Sequence, residues 1–500
     1  MLPGHGGFPG RRRKSRRTVS PFDAWQLPPG FELGEEEVVT RAEGMSPFRH
    51  PSLTEGRLLE LAERLRFLRR TTLQPRPVGE ILEVVDQVAR RFLDLGDPLR
   101  QEALVTVAAF GGYSRAMVAS LVDGMAREWR GDRLRRLLRS EFPDPRVLDG
   151  FVPGPVGGRV RALGYPLTFH LGAGAVPGVA TTSMIRALLV KSAVLLKPGL
   201  GDLPLPVLFT RGLREEEPEL AQATAVLYWP GEEAAETAVA LGAADLVVAY
   251  GSDETVAWVR SSLPPSTPLR GYRHRMGFGI VGRGGLGKGT DCGSGHSAGG
   301  LARKAAKAVA TFDQKGCVSP HVIFVEEGGD TAPEEWAALL AAALRDLESE
   351  LPSGSVPPEA GAAIQQLRGV AEMNEAMGTG RVHHGGPEAP WTVLFHPEGP
   401  VEPACSHRTV RVIPVRSGAA AVKEVQTWGP YLQTVGLAGF GAETTEMAEA
   451  LAGLGVSRVV PLDGVPWPPA WWHHDGTGPL QDLVRWTDLE PEEPVSSETA

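Results

Sequence analysis

A cysteine at position 317 stands in the segment FDQKGCVSP (312–320), between an alanine-rich helical stretch and an apolar run at 322–325 that is typical of a strand. A thiol on a short loop between rigid elements can meet a bound substrate, whereas a thiol inside a helix or strand is more often packed away. Cysteine thiolates form covalent intermediates with acyl groups. We therefore predict that Cys317 is a catalytic nucleophile.

Two glycine-rich segments are candidates for binding phosphate groups. The segment GRGGLGKGT (282–290) nearly matches the loop that wraps the phosphates of nucleoside triphosphates, but Gly289 stands where that loop needs a hydroxyl for Mg²⁺. An ATP-driven switch is therefore a minor alternative, and a flexible basic turn is favoured. The segment GAGAVPG (172–178) follows a predicted strand without the spacing of the dinucleotide fingerprint.

Length and cysteine content bound the class of protein. The 500 residues, 42% of them hydrophobic, allow about three domain-sized units with buried cores. Cysteines at 292, 317 and 405 form neither an even disulfide framework nor a paired zinc spacing, so we expect a cytoplasmic protein. Adjacent histidines at 383–384 and 473–474 tend to point apart, and no third ligand cluster accompanies them, so no metal site is predicted.

The net charge is −9, yet six basic residues lie between positions 11 and 17 in a leader rich in glycine and proline. We interpret this leader as a solvated tail, not as a surface for nucleic acid. The Arg pair at 16–17 lacks the apolar core of an export signal. No stretch approaches the ~20 apolar residues that a membrane span needs. We therefore expect neither a nucleic-acid partner nor a membrane span.

Short apolar runs alternate with helical patterns between 167 and 262, which predicts an α/β fold with a parallel sheet and crossover helices. Sheets of this kind bind nucleotides at their strand ends. We predict strands at 167–171, 193–196, 225–228 and 246–250, with helices near 179–192, 232–242 and 253–260. The predicted organisation is a basic disordered tail (1–30), a helical N-terminal region (31–150), an NAD(P)-binding domain (151–277), a catalytic cysteine domain (278–460), and a C-terminal return segment with an acidic tail (461–500).

Several landmarks together point to a family. In chain order they are GAVP (174–177), LLKP (195–198), YGS (250–252), GC (316–317) and QTWGP (426–430), and their order and spacing resemble the aldehyde dehydrogenase superfamily. Within it, FDQKGCVSPH (312–321), WGPYLQTVG (428–436), DG (463–464) and LVRW (483–486) are similar to the LuxC family of acyl-CoA and acyl-protein thioester reductases. The resemblance extends over about 160–490.

The resemblance implies an aldehyde dehydrogenase-like fold, in which a Rossmann-like nucleotide domain and an α/β cysteine domain meet at a cleft. In such a fold Cys317, as thiolate, attacks an acyl thioester, and hydride from a nicotinamide then reduces the acyl-enzyme. We expect NADPH as cofactor. The partners implied are a fatty acyl-CoA or acyl-protein thioester as substrate, an acyl-protein synthetase, and further copies of the chain in a homo-oligomer.

The resemblance also assigns residues to the cofactor. Lys197, with Pro198, is placed at the adenosine ribose or its 2′-phosphate, where a lysine acts as a point charge. Gly251 and Ser252 are placed at the pyrophosphate, at a helix start. Taken alone, a strand-end lysine is more often solvated, and a Gly-Ser pair is more often a helix cap. Gln426 stands where the superfamily usually has a ribose-binding glutamate.

Departures from the superfamily pattern refine the expected activity. Oxidising members carry a glutamate base in a Glu-Leu-Gly-Gly segment, whereas the comparable stretch here, 271–279, has no carboxylate. An acyl-cysteine that waits for hydride suits that absence. Leu200 replaces the glutamate with which NAD-preferring relatives often hold the ribose, so NADPH is tolerated. Ala175 replaces the oxyanion-donating asparagine, a type of loss that typically costs ~10²- to 10³-fold in rate.

We therefore predict an enzyme that reduces a long-chain fatty acyl thioester to the aldehyde through an acyl-Cys317 intermediate. Two alternatives use the same scaffold, an aldehyde-oxidising dehydrogenase and an acyl-phosphate reductase. A third alternative, suggested by Ala175 and Gln426, is a non-catalytic subunit that keeps the fold.

Overall fold

The computed structural model describes residues 21–41, 47–231, 234–288, 297–386, 388–398 and 401–490. The basic run at 11–17, Cys292 and the acidic residues 491–493 lie outside the described residues. Residues 21–30, which the sequence placed in the disordered tail, have defined structure, because Phe22 pairs with Phe48 and Gln26 forms a bridge with Val226.

The N-terminal region packs five helices beside a small sheet. Its strands are β1 (Phe22–Asp23), β2 (Val38–Arg41) and β3 (Phe48–Pro51), and its helices are α1 (Glu55–Leu68), α2 (Val78–Leu93), α3 (Pro98–Gly111), α4 (Arg115–Glu128) and α5 (Gly131–Glu141). Side-chain caps at Thr54, Asp97 and Ser114 begin α1, α3 and α4. The predicted apolar faces of α1 and α2 are buried, as their helical spacing requires.

The second unit contains a five-stranded parallel sheet. Its elements are β4 (Val152–Pro153), β5 (Arg159–Gly164), β6 (Leu167–Leu171), α6 (Val179–Leu189), β7 (Ala193–Lys197), α7 (Pro204–Glu216), α8 (Pro218–Ala221), β8 (Thr224–Val226), α9 (Ala235–Ala243), β9 (Leu246–Tyr250), α10 (Asp253–Ser262) and β10 (Leu269–Tyr272). The sheet order is β10-β9-β6-β7-β8. The chain adds β7 and β8 on one side of β6, and then adds β9 and β10 on its other side. The predicted parallel sheet is confirmed, and the switch point lies between β6 and β9.

The third unit is built on a seven-stranded sheet. Its elements are β11 (Met276–Val281), α11 (Ala298–Ala310), β12 (Pro320–Glu326), α12 (Pro333–Leu347), α13 (Pro358–Ala376), β13 (Arg381–His383), β14 (Thr392–Phe395), β15 (Thr409–Val415), α14 (Gly418–Val425), β16 (Leu432–Ala438), α15 (Thr444–Gly453) and β17 (Arg458–Pro461). The sheet order is β13-β14-β15-β12-β11-β16-β17, with only β13 antiparallel to its neighbour. The chain then returns through β18 (Val484–Leu489), which pairs with β5.

The loop that carries Cys317 begins with an unusual backbone. Phe312, Asp313 and Gln314 have φ angles of 57°, 47° and 61°, all in the left-handed region. A second left-handed run, residues 406–408, lies directly before β15 with φ angles of 63°, 53° and 57°. Because non-glycine residues in this region cost roughly 1–2 kcal/mol each, other contacts must hold both runs in place.

Buried polar contacts join the two runs. Arg408, whose side chain is 1% exposed, donates from Nε and Nη2 to Asp313 Oδ1 at 3.0 and 2.8 Å, and from Nη1 to Glu348 at 2.7 Å. The Gln314 amide donates to the Thr409 carbonyl at 2.7 Å and accepts from the Thr409 N–H at 2.8 Å. The Cys317 loop is thereby fixed to the start of β15.

Replacement of Arg408 by methionine leaves the buried carboxylate of Asp313 without its charge partner. We expect Arg408→Met to lower the free energy of unfolding by about 3–5 kcal/mol, measured by urea unfolding followed by tryptophan fluorescence. The matched control is Arg345→Met, because Arg345 forms an exposed ion pair with Asp346 worth at most about 1 kcal/mol. Equal losses in the two variants would contradict the anchoring role of Arg408.

Candidate active site

Cys317 lines a mostly apolar pocket that opens to solvent. The pocket walls come from α4, α5, α6 and the tryptophan-rich segment 466–472, with side chains that include Met125, Leu134, Leu137, Val179, Ile185 and Trp467. Trp467 packs edge-on against Phe312, with ring centres 4.9 Å apart. The Cys317 loop therefore faces an apolar surface that suits a hydrocarbon chain.

The thiol of Cys317 is reachable by solvent but poorly solvated. The residue is exposed by surface area, while protein atoms crowd the sulfur, as expected for a residue within a cleft. Accessibility describes approach to the thiol, and crowding describes how well water stabilises its charge, so the two observations are compatible. Burial, reinforced by the negative charge of Asp475, raises the pKa of Cys317 to about 11, although Gln433 and Arg275 act in the opposite direction. The raised pKa favours the protonated thiol over the thiolate in the resting protein.

Asp475 is a buried carboxylate that sequence reasoning did not assign to the site. Its Oδ1 accepts a hydrogen bond from Gln433 Nε2 at 2.7 Å and contacts Arg275 Nε at 3.3 Å. Its backbone has φ 54°, in the left-handed region. The sequence offered only the adjacent pair at 473–474 followed by an aspartate, a pattern considered as a metal site and rejected. Nothing in that pattern indicated proximity to Cys317.

A stack of four aromatic rings fixes the segment that carries Asp475. Tyr250 lies on Tyr272 at 4.5 Å between ring centres, Tyr272 on His474 at 4.3 Å, and His474 on Trp472 at 4.5 Å. Burial lowers the pKa of His474 to about 3, which keeps its ring neutral. The stack joins the ends of β9 and β10 to the C-terminal segment. The second unit therefore contributes Tyr250 to the walls of the pocket around Cys317.

The predicted cofactor residues Lys197, Pro198, Gly251 and Ser252 lie at one edge of the parallel sheet. Lys197 ends β7 and is 4% exposed, with Nζ 6.0 Å from the ring centre of Tyr228, so it is not a solvated strand-end lysine. Pro198 follows it directly. Gly251 and Ser252 follow β9, and Ser252 Oγ accepts from the N–H of Thr255 at 3.2 Å as the cap of α10.

Gln426 is exposed and begins the short helical turn Gln426–Tyr431. The hydroxyl of Tyr431 donates to Asp253 at 3.3 Å, which holds this turn against the first residue of α10. The structure therefore places the Gln426 turn beside the helix that Ser252 caps. A helix N-terminus next to a strand switch point, with a buried lysine two strands away, fits an anionic dinucleotide.

The loop that carries Ala175 offers no side-chain donor, in agreement with the sequence. Ala175 is exposed, and its carbonyl accepts a hydrogen bond from Tyr113 Oη at 2.5 Å. The same hydroxyl lies 3.4 Å from the Phe312 carbonyl, and Lys315 Nζ lies 4.4 Å from the Tyr113 ring centre. Tyr113, which the sequence analysis did not single out, therefore joins the end of α3 to the Cys317 loop.

Other groups that could do chemistry are engaged elsewhere. His321 Nδ1 lies 2.8 Å from the Ala404 carbonyl, which gives the ring a structural partner on the path away from Cys317.

Within the described ranges no three metal-ligating side chains of the His, Cys, Asp or Glu type cluster. Across the part of the chain that the structure describes, no single helix has the length and apolar character to cross a bilayer, and only the bent pair α3 and α4 satisfies both criteria together.

The raised pKa of Cys317 predicts how its reactivity depends on pH. Because the ordinary thiol pKa is about 8.5, a shift to about 11 leaves very little thiolate at neutral pH, and the thiolate fraction rises about tenfold per pH unit. We expect alkylation of Cys317 by iodoacetamide, followed by mass spectrometry in the cofactor-free protein, to keep rising through pH 9.5. The same cysteine in urea should level off near pH 9. A plateau below pH 9 in the folded protein would contradict the raised pKa.

Comparison with known proteins agrees with this architecture. A family model described as "Acyl-CoA reductase (LuxC)" matches residues 73–486. The chain is 24% identical over 148 residues to the long-chain acyl-protein thioester reductase 2 of Photobacterium leiognathi (29% of this chain, 31% of that protein), and 28% identical over 127 residues to the long-chain acyl-protein thioester reductase of Aliivibrio fischeri (24% and 26%). The aligned part thus spans less than a third of the length of these relatives.

Solved structures share the fold. The chain is similar to aldehyde dehydrogenase 21 of Physcomitrella patens, with a TM-score of 0.72, 14% identity, and coverage of 94% and 98% of the two chains. It is also similar to the NADP-dependent glyceraldehyde-3-phosphate dehydrogenase of Bacillus halodurans C-125, with a TM-score of 0.68, 14% identity, and coverage of 94% and 100%. The fold is therefore aldehyde dehydrogenase-like, as the sequence predicted. The family match covers most of the chain, and this protein belongs to the acyl-CoA reductase (LuxC) family.

Proposed function

We propose that this protein reduces a long-chain fatty acyl thioester to the aldehyde with NADPH, through an acyl-Cys317 intermediate. The observation that carries the proposal is the position of Cys317, a reachable thiol on the wall of an apolar pocket beside the edge that suits a dinucleotide. An acyl chain in this pocket would present its thioester carbonyl to the sulfur. The names of the relatives, long-chain acyl-protein thioester reductases, support the same chemistry.

The proposed reaction has two parts. In the first, the Cys317 sulfur bonds to the acyl carbon, the bond to the donor thiol breaks, and the thiol proton passes to the departing sulfur. When bound, the reduced nicotinamide supplies a hydride to the acyl carbon. In the second part Cys317 leaves the reduced carbon and regains a proton, which releases the aldehyde. Splitting the reaction at a covalent intermediate replaces one difficult step with two easier ones.

The residues at the nucleotide edge support NADPH as the cofactor. Lys197 would offer a positive charge to the 2′-phosphate, Pro198 would shape the strand end, and the N-terminus of α10 at Gly251 and Ser252 would face the pyrophosphate. Leu200, half-buried in the turn after β7, places no carboxylate against a 2′-phosphate. The neutral side-chain amide of Gln426 would accept a hydrogen bond from a ribose hydroxyl.

The proposal extends to the acyl donor, the cellular compartment and the oligomeric state. A thioester on coenzyme A and one on an acyl-protein synthetase present the same carbonyl, so either donor fits the pocket. We propose that the protein works in the cytoplasm, where thiols stay reduced, and that it assembles as a homo-oligomer.

The function is tested with purified protein, tetradecanoyl-CoA and NADPH. We expect NADPH consumption with formation of the fatty aldehyde, and we expect Cys317→Ala to lower the rate by at least about 10³-fold because the intermediate cannot form. Cys405→Ala, at the other described free thiol, should leave the rate unchanged. NADH in place of NADPH tests the cofactor preference. Consumption that survives Cys317→Ala, or a fatty acid as the sole product, would defeat the proposal.

The pocket wall predicts chain-length selectivity. Met125, half-buried on α4, contributes to the pocket, so Met125→Trp should fill part of it. We expect kcat/KM for tetradecanoyl-CoA to fall by about tenfold or more, since each buried methylene contributes roughly 1 kcal/mol or more to discrimination, while kcat/KM for butanoyl-CoA stays the same. Ala116→Trp, on the exposed side of α4, is the control. Equal effects on both substrates would place the acyl chain elsewhere.

A further inference from the structure

The carboxylate of Asp475 has one oxygen that the fold does not use. The side chain is 5% exposed, and Oδ1 carries its contacts with Gln433 and Arg275. Oδ2 is also buried and has no hydrogen-bond partner among the described residues. Buried carboxylate oxygens without partners are uncommon because their desolvation is costly, and those that occur are often functional. The left-handed backbone at Asp475 adds a second unfavourable feature at the same residue.

Gln433 links this carboxylate to the reactive thiol. It lies on β16, its side chain is fully buried, its amide donates to Asp475, and it lowers the pKa of the Cys317 thiol. The charge of Asp475 also acts directly on Cys317. His474, the residue before Asp475, lines the same pocket as Cys317. The free oxygen therefore belongs to a carboxylate beside that pocket, and the other oxygen of this carboxylate is fixed.

We propose that Asp475 Oδ2 accepts the proton of Cys317 as the sulfur attacks the acyl thioester. This inference rests on the proposed function and adds to it a residue outside the 271–279 stretch, where the base of the oxidising enzymes would stand. The step breaks the S–H bond, forms an O–H bond on Asp475 and an S–C bond to the acyl carbon, and expels the donor thiolate. That thiolate takes the proton from Asp475, so the carboxylate is restored and nothing is oxidised or reduced.

Neighbouring groups do not fit the same role. His474 precedes Asp475, but its ring is held in the stack between Tyr272 and Trp472. Arg275 and the Gln433 amide contact the carboxylate through N–H donors, so they orient Asp475. His321 is turned toward the Ala404 carbonyl.

The test separates acyl transfer from simple access to the thiol. Wild type, Asp475→Asn and the control Asp482→Asn are mixed with tetradecanoyl-CoA without NADPH, and acyl-Cys317 is followed by quenched mass spectrometry. In parallel, Cys317 is alkylated with iodoacetamide at pH 7.5. We expect Asp475→Asn to slow acylation by about 10²- to 10⁴-fold, as loss of a general base does, with alkylation unchanged or faster because a negative charge is gone. Asp482, half-exposed and paired with Arg270, should have no effect on either reaction.

Several outcomes would overturn the inference. Acylation of Asp475→Asn at the wild-type rate excludes Asp475 as the proton acceptor, and so does normal acylation with slower hydrolysis of the acyl-enzyme, which would assign Asp475 to water. If Asp475→Asn loses both acylation and alkylation, Asp475→Glu decides, since recovered acylation supports the role and absent acylation refutes it. A wild-type protein that forms no acyl-Cys317 defeats the proposed function and this inference with it, whereas acylation in wild type keeps the two questions separate.

Discussion

The buried contact between Arg408 and Asp313 is the constraint on which the Cys317 loop depends. Two runs of left-handed residues meet at this ion pair, and neither run contains a glycine that would adopt the conformation freely. A charge pair removed from water is stable only when its geometry and its additional hydrogen bonds are good. Here Glu348, the Leu351 carbonyl and the Gly354 N–H supply those bonds. The position of Cys317 thus depends on buried polar contacts at the start of its loop.

Around Cys317, three regions of the chain contribute different chemistry. The N-terminal helices and α6 supply an apolar wall, the ends of β7 and β9 supply an edge suited to phosphate groups, and the C-terminal segment supplies Asp475 and the tryptophans. The pairing of β18 with β5 brings that segment back across the molecule. The walls around the thiol therefore combine residues from separate parts of the fold.

Much of this architecture could be predicted from the sequence because it rests on local patterns. The strands at 167–171 and 246–250 appear with the predicted bounds, since short apolar runs between turn residues are strong signals. The loop position of Cys317 followed from the same reasoning. The predicted helix near 179–192 ends earlier, at Leu189, because Lys191 turns into the left-handed region. The boundary at residue 30 also differs, since Phe22 pairs with a strand that carries no strong periodicity.

Sequence patterns could not predict the contacts that complete the site. Asp475, Gln433 and Arg275 lie far apart along the chain, and only the register of β16 and the aromatic stack bring them together. Tyr113 and Arg408 likewise act through hydrogen bonds across long sequence distances. A single polar residue in a loop or at a strand end has no repeating pattern, so its partner is visible only in three dimensions.

Suppression of the thiolate has a consequence for the lifetime of the enzyme in an oxidising environment. Peroxides and other electrophiles attack the charged form of cysteine, and oxidation beyond the sulfenic acid is largely irreversible. With the pKa of Cys317 raised by burial, the idle enzyme exposes little of that form. A thiol that stays protonated at rest is protected from such damage, although its residue is exposed to solvent.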